Sequence, residues 1–268
     1  MQVEGWLLVL TKTQVVPVEF TSGGETVRGN LVTPTSEGPF PGICKYHGLP
    51  GGPDQVGGIA TRLAEVGFAV LTFDFRGFRS SDGFFRLAGE IVDAKNSVTY
   101  LLESEFTFND WIGVYGASYG GAVAICSSAE DKRVQAVCVR APVFDTYMFA
   151  LSPMIEPEVK RIIETDPSQI RGIENPETRK LILRRMVEDA IIYNPMKDIP
   201  GISPRPLFII TGDADRGIPV EGVRELYDKA GEPKQFAVVE GADHVLSDPA
   251  QYEETVTAVI EWFLSQRP

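Results

Sequence analysis

Along this chain, short and nearly continuous apolar runs alternate with longer stretches in which apolar residues recur every third or fourth position. The runs Gln14–Phe20, Thr26–Thr33, Pro41–Tyr46, Phe68–Phe75, Trp111–Tyr115, Val134–Val139, Pro206–Thr211 and Gln235–Val239 read as strands. Phe68–Phe75 is broken only by Thr72 and Asp74, the pattern of a strand buried on both faces. Ser22-Gly23-Gly24 supplies the turn between the first two strands. The spacing predicts helices over Ile59–Val66, Glu90–Leu102, Gly120–Ser128, Pro219–Ala230 and Pro249–Gln266. In Glu90–Leu102, Ile91, Ala94, Val98 and Leu101 share one face. Gly67 stands just past Ile59–Val66, where a C-terminal cap belongs.

Strands alternating with helices predict an α/β fold: a mostly parallel central sheet with helices on both faces. The rhythm breaks from Phe144 to Pro204, a Met-, Ile- and Glu-rich stretch with helical spans near Pro157–Glu164 and Glu177–Ala190. An excursion of roughly 60 residues is too long for an ordinary connection. It reads as a helical cap subdomain, 144–204, inserted into a single domain spanning 1–268. A chain of 268 residues suits one large α/β unit.

Charge narrows the partners. A net charge of −12 argues against nucleic acid, whose phosphates need Lys/Arg clusters, and against anionic membrane surfaces. Cys44, Cys126 and Cys138 are odd in number, lie in apolar segments and lack metal-ligand spacing, so they read as buried free thiols of a reducing compartment. The N-terminal run Trp6-Leu7-Leu8-Val9-Leu10 is too short for a signal peptide core or a membrane span. A cytoplasmic protein is the expectation.

The chemistry starts where Trp111–Tyr115 runs into Gly116-Ala117-Ser118-Tyr119-Gly120-Gly121 and then a small-residue helix. Strand, Gly-x-Ser-x-Gly, helix is the order of a nucleophile elbow. The turn is so tight that the serine takes strained backbone angles, and side chains at 116 or 120 would strike the neighbouring strand and helix. The serine oxygen is thereby pushed out above the sheet. The helix start behind it offers free N–H groups and a positive dipole end.

A serine hydroxyl needs an adjacent base, and the chain has two histidines. His244, in Gly241-Ala242-Asp243-His244, follows the last strand, where a loop residue can reach a nucleophile above the sheet. His47 opens the glycine-rich stretch His47-Gly48-Leu49-Pro50-Gly51-Gly52. The base in turn needs a carboxylate to hold its tautomer. Asp213 and Asp215, in Gly212-Asp213-Ala214-Asp215-Arg216-Gly217, both follow the strand Pro206–Thr211, and position alone leaves both open.

With these residues the chain resembles serine hydrolases of the α/β-hydrolase superfamily, from about Val27 to the C-terminus and most weakly across the cap. It is similar to dienelactone-hydrolase-like esterases and to the catalytic domains of prolyl-oligopeptidase-type enzymes. The matching residues are His47-Gly48, Asp74-Phe75-Arg76-Gly77, Gly116 to Gly121, Gly212 to Asp215 with Pro219, and Gly241 to His244. The resemblance implies that the acid stands three residues after Gly212, selecting Asp215 and leaving Asp213 as a turn residue. It also implies that His47-Gly48 shapes an oxyanion loop, with the backbone N–H groups of Leu49 and Tyr119 as donors. Arg79 stands where the family pattern has its second glycine, which leaves that loop's conformation open. Asp74 and Arg76 read as a buried ion pair or turn anchor, and Tyr46 as sheet packing.

The expected activity is cleavage of a carboxylic ester of a short to medium acyl or aryl acid. Ser118 attacks, His244 takes its proton and Asp215 orients His244. A peptidase or amidase of the prolyl-oligopeptidase type is the alternative, and a non-catalytic hydrolase-fold binding protein a third. Peptidases of that type carry a further domain for which these 268 residues have no room. No cofactor, metal, nucleic acid or membrane is expected as a partner, only a small-molecule ester. At the start of the cap, Tyr147, Met148, Phe149, Leu151, Met154 and Ile155 form an apolar stripe. It reads either as packing under the cap or as a substrate lining, with Met148, Phe149 and Met154 as binding residues.

Overall fold

A computed structural model describes residues 2, 3, 6, 7, 10–51 and 58–268. Leu8 and Val9 of the N-terminal apolar run, and Gly52 of the glycine-rich stretch, lie outside the described residues. Eight strands form the main sheet: β1 (Thr13–Ser22), β2 (Glu25–Pro34), β3 (Phe40–Tyr46), β4 (Ala69–Phe73), β5 (Thr107–Ala117), β6 (Val134–Arg140), β7 (Leu207–Gly212) and β8 (Lys234–Val239). Their spatial order is β8-β7-β6-β5-β3-β4-β2-β1. β2 runs antiparallel to both β1 and β4, and the remaining pairs are parallel.

The period-two alternation of each strand sorts its side chains to opposite faces. Leu31, Cys44, Leu71, Val114, Val137 and Ile209 point to one face and pack with α2 (Leu87–Leu102) and α3 (Tyr119–Glu130). Their neighbours Val32, Ile43, Val70, Tyr115, Cys138 and Ile210 point to the other, against α1 (Ile59–Glu65) and α9 (Pro249–Gln266). The parallel strands therefore end at one common edge, and the loops after β3, β5, β7 and β8 meet there. All three cysteines are buried and unbridged.

Between β6 and β7 the chain leaves the sheet for α4 (Thr146–Ala150), α5 (Ile155–Thr165), α6 (Pro176–Ile192) and α7 (Pro195–Asp198). Each of the last two carries Pro in its first turn and an Asn cap, Asn175 or Asn194. Helix α8 (Val220–Lys229) then precedes β8.

Among the elements that the structure extends beyond the sequence expectation, β5 and α2 have physical reasons in their partners. β5 begins at Thr107 rather than Trp111, because Thr107 pairs with Phe40 of β3 ahead of a register shift. α2 begins at Leu87 rather than Glu90. Its N-cap, Arg86, makes no side-chain cap; instead the Ala88 N–H donates to Asp189 of α6 at 2.9 Å. The short helices α4 and α7 were not expected, although their caps, Asp145 and Asn194, are visible as sequence signals.

Candidate active site

Ser118 sits between β5 and α3 at φ 56° and ψ −122°, a left-handed conformation that a residue with a side chain adopts only under constraint. Its neighbours enforce it. The Ser118 N–H donates to Arg140 O, and its carbonyl accepts from Gly121 N–H and Val143 N–H. A Cβ at Gly116 would lie 2.3 Å from Gly120 O, and one at Gly120 would lie 2.3 Å from His47 O. Glycine at both positions lets strand, helix and the end of β3 close around the serine.

His244 and Asp215 come to it from the neighbouring strand ends. His244 Nε2 stands 3.0 Å from Ser118 Oγ, and His244 Nδ1 stands 2.6 Å from Asp215 Oδ2. The other oxygen, Asp215 Oδ1, accepts from Gly217 and Ile218 N–H at 2.8 Å each. The Asp215 side chain is 1% exposed, whereas that of His244 is 32% exposed. Burial pushes the Asp215 carboxyl up, but the hydrogen bonds from His244, Ile218 and Gly217 and the attraction of His244 outweigh it. Its pKa lies below the ordinary value, so the acid is a carboxylate that holds the Nδ1 proton. Asp213 is exposed and accepts from Gly241 N–H at 2.6 Å, tying the loop after β7 to the loop after β8. The structure thus brings Ser118, Asp215 and His244 together and leaves Asp213 in a turn.

His47 is placed differently. Phe75 N–H donates to its Nε2 at 3.0 Å, so the proton of the neutral ring is on Nδ1, which donates to Gly48 O at 2.7 Å. The ring lies between Phe75 and Phe78, and burial lowers its pKa to about 4. A trans peptide directs its C=O and N–H oppositely, so fixing Gly48 O fixes the direction of the Leu49 N–H. Gly48 lies against the serine: a Cβ there would be 3.2 Å from Ser118 Cβ. On the other side, Tyr119 is the first residue of α3, so its N–H has no intrahelical partner.

Two further residues support the site. Arg140, at the end of β6, donates to His244 O at 2.7 Å. A cation closing a buried strand was the sequence signal for it. Arg79, with φ 38°, donates to Pro50 O and Gly51 O. Arg76 forms an ion pair, but with Asp93 of α2 at 2.6 Å, while Asp74 accepts from Ser80 Oγ. Tyr46 is 1% exposed and donates to Ala94 O.

Of the apolar stripe, Phe149 packs on the Tyr119 ring at 5.6 Å, whereas Met148 and Met154 are 64% and 57% exposed. A narrow apolar cavity of about 20 Å³ lies beside Leu49, closed by Phe85, Ile155, Ile162, Ile173 and Met186. Neither Met148 nor Met154 lines it. Among the described residues, no group of His, Cys, Asp and Glu is placed to hold a metal, and no helix is long and apolar enough to cross a membrane.

Comparison with known proteins bears on the fold. The chain matches the X-Pro dipeptidyl-peptidase (S15) family over residues 23–153. It is similar to the polyketide transferase GrgF of a Penicillium species, 26% identical over 267 residues and covering 85% of this chain and 88% of that protein. The crystal structure of GrgF superposes with a TM-score of 0.69 at 21% identity over 92% of this chain and 98% of that one. A hypothetical protein from Pseudomonas aeruginosa gives a TM-score of 0.75 at 19% identity, covering 100% and 99% of the two chains. Est1E of Butyrivibrio proteoclasticus, solved with ferulic acid, gives 0.73 at 18% identity over 93% and 98%. At these identities the structural likeness establishes the fold.

Proposed function

We propose that this chain is a serine hydrolase of the α/β-hydrolase superfamily that cleaves carboxylic esters through an acyl-enzyme on Ser118, a reading that the family match over residues 23–153 and the fold likeness to a dienelactone hydrolase support. The observation that carries the reading is the hydrogen-bonded line from Ser118 Oγ through His244 to the buried Asp215 carboxylate. His244 takes the Ser118 proton as the oxygen attacks a carbonyl carbon. Asp215 stabilises the imidazolium that forms. The Leu49 and Tyr119 N–H groups receive the oxyanion, which develops only on the way to the tetrahedral intermediate. His244 then returns the proton to the leaving alcohol, and the same ring activates the water that releases the acid.

The 144–204 segment acts in this reading as a cap, and the cavity beside Leu49 as the acyl slot. At about 20 Å³ it has room for about a water's worth of atoms. Each further methylene has to be accommodated outside it, so short acyl groups are favoured. A fluorophosphonate probe tests the serine: it should label the wild type and not Ser118→Ala, with the circular dichroism spectrum unchanged. A series of p-nitrophenyl esters from acetate to palmitate tests the slot. Its kcat/KM should peak at short acyl length, and a maximum at palmitate would overturn the assignment.

A peptidase is the second reading, favoured by the match to the X-Pro dipeptidyl-peptidase family over residues 23–153. Comparing an ester with its matching amide, and with an X-Pro dipeptide anilide, separates the two.

A further inference from the structure

The loop after β3 is held by side chains at three carbonyls. His47 takes Gly48 O, and the Arg79 guanidinium donates to Pro50 O at 3.1 Å and to Gly51 O at 3.0 Å. Arg79 comes from the loop between β4 and α2. Its backbone, at φ 38°, is in the left-handed region where glycine is at ease and a residue with a Cβ is not. A side chain held at such a position by its surroundings points to a role for that side chain.

The same loop meets the cap. Arg79 N–H donates to Gln169 O at 3.4 Å, Arg171 N–H donates to Gly77 O at 2.8 Å, and Phe78 and Ile170 form an antiparallel bridge. Residues 77–79 are therefore a short strand-like seam with one side on segment 169–171. From that seam the Arg79 head reaches the loop that carries Leu49.

We propose that Arg79 is a positioning residue for the oxyanion loop: its guanidinium holds the Pro50 and Gly51 carbonyls and so keeps the preceding Leu49 N–H directed at the oxyanion. The inference rests on the serine-hydrolase reading above. Its physical basis is the alternative that the clamp excludes. A Gly48–Leu49 peptide that rotates presents C=O where N–H is required, turning a donor into a dipole that opposes the developing negative charge; His47 holds that peptide itself, and Arg79 holds the two carbonyls of the chain that follows it. Two donors from one planar cation fix two successive carbonyls at once, which a single lysine ammonium does less well. The clamp acts on the loop and not on the substrate, so it bears on the transition state and leaves ground-state binding alone.

The test is Arg79→Gly. Glycine accepts φ 38° without strain, so Tm should hold or rise, while kcat for p-nitrophenyl acetate falls by about tenfold or more, short of the 10²–10³ lost with a whole oxyanion donor. KM should stay within about twofold, and the affinity for a trifluoromethyl ketone should fall in proportion to kcat/KM. Arg79→Lys, which keeps the charge and can reach one carbonyl, should recover part of kcat; it also serves if the glycine variant does not fold. Wild-type kcat in a folded Arg79→Gly, or in Arg79→Lys where the glycine variant cannot be made, overturns the proposal. So does a raised KM at unchanged kcat, which would make Arg79 a substrate contact. A wild type that neither labels with fluorophosphonate nor turns over any ester overturns the serine-hydrolase reading and this proposal together. An active wild type with an unaffected variant overturns this proposal alone.

Discussion

Gly120→Ala tests how closely the elbow and the oxyanion loop are registered. The added Cβ would stand 2.3 Å from His47 O, 2.5 Å from Tyr46 O and 2.8 Å from His47 C. All three are backbone atoms at the end of β3, so no side chain can swing aside. Ordinary contact begins near 3.4 Å, and α3 must separate from β3 by about 1 Å to reach it. Such overpacking of a core costs about 1–3 kcal/mol. For a domain of this size that lowers Tm by about 2–10 °C. The same displacement moves His47, and with it the Gly48 carbonyl that His47 holds. A misplacement of about 1 Å at a reacting centre costs about 10²-fold in rate, or about 2.7 kcal/mol of barrier. Thermal unfolding and kcat on p-nitrophenyl acetate should therefore both fall, with KM little changed. Gly201→Ala is the control. Its Cβ meets Ala129 Cβ at 3.2 Å, far from the site, and should alter stability slightly and kcat not at all. If Gly120→Ala loses Tm but keeps wild-type kcat, the oxyanion loop is not registered through this contact. If it loses neither, the packing argument is wrong.

Three further outcomes follow from the same geometry. Asp215→Asn should lower kcat by about 10⁴-fold by leaving His244 in the wrong tautomer. Asp213→Asn should cost far less, since its carboxylate only ties Gly241 N–H; the reverse order would reassign the acid. His47 titrates near 4 in the fold against about 6.5 in the unfolded chain, so the unfolded state takes the proton first. Stability should be complete above pH 6.5 and decline toward pH 4, by up to about 3 kcal/mol. Urea unfolding of wild type and His47→Gln at pH 7.5 and 4.5 should show a steeper acid loss in the wild type, and equal losses would contradict the assignment. Asp189→Ala removes a 2% exposed carboxylate that joins α6 to Arg86 and to the Ala88 N–H. Arg86 can turn to water but the N–H cannot, so the loss should be about 2–3 kcal/mol, below that for a fully buried pair. Hydrogen exchange at the first turn of α2 should accelerate, and unchanged protection there would refute the capping role.

Much of the fold was written in local periodicity. The run Phe68–Phe75, broken only by Thr72 and Asp74, marked a strand buried on both faces, and the alternation of strands with helices marked a mostly parallel sheet. Ser118 was legible for a related reason. A strand that turns into a helix within a few residues needs glycine at 116 and 120, so the constraint is local and leaves a local mark. His244 was legible because the chain has two histidines and only one follows the last strand.

The remaining features were set by contacts between residues far apart in the chain. Position left Asp213 and Asp215 equivalent; what separates them is that Asp215 turns under His244 while Asp213 turns out to Gly241. The start of α2 could not be read from its own residues, because its cap is Asp189, 101 residues away. Arg76 finds Asp93 rather than Asp74, since the spacing of α2 places Asp93 beside the end of β4. Met148 and Met154 looked like lining by composition, yet Met148 on the five-residue α4 and Met154 at the N-cap of α5 are both exposed, and the cavity falls to Leu49, α5 and α6. Arg79 looked like a departure from a glycine pattern, and its purpose depends on carbonyls 28 and 29 residues earlier. Periodicity fixes which way a side chain faces within its own element. Which partner it meets is decided only when the elements pack.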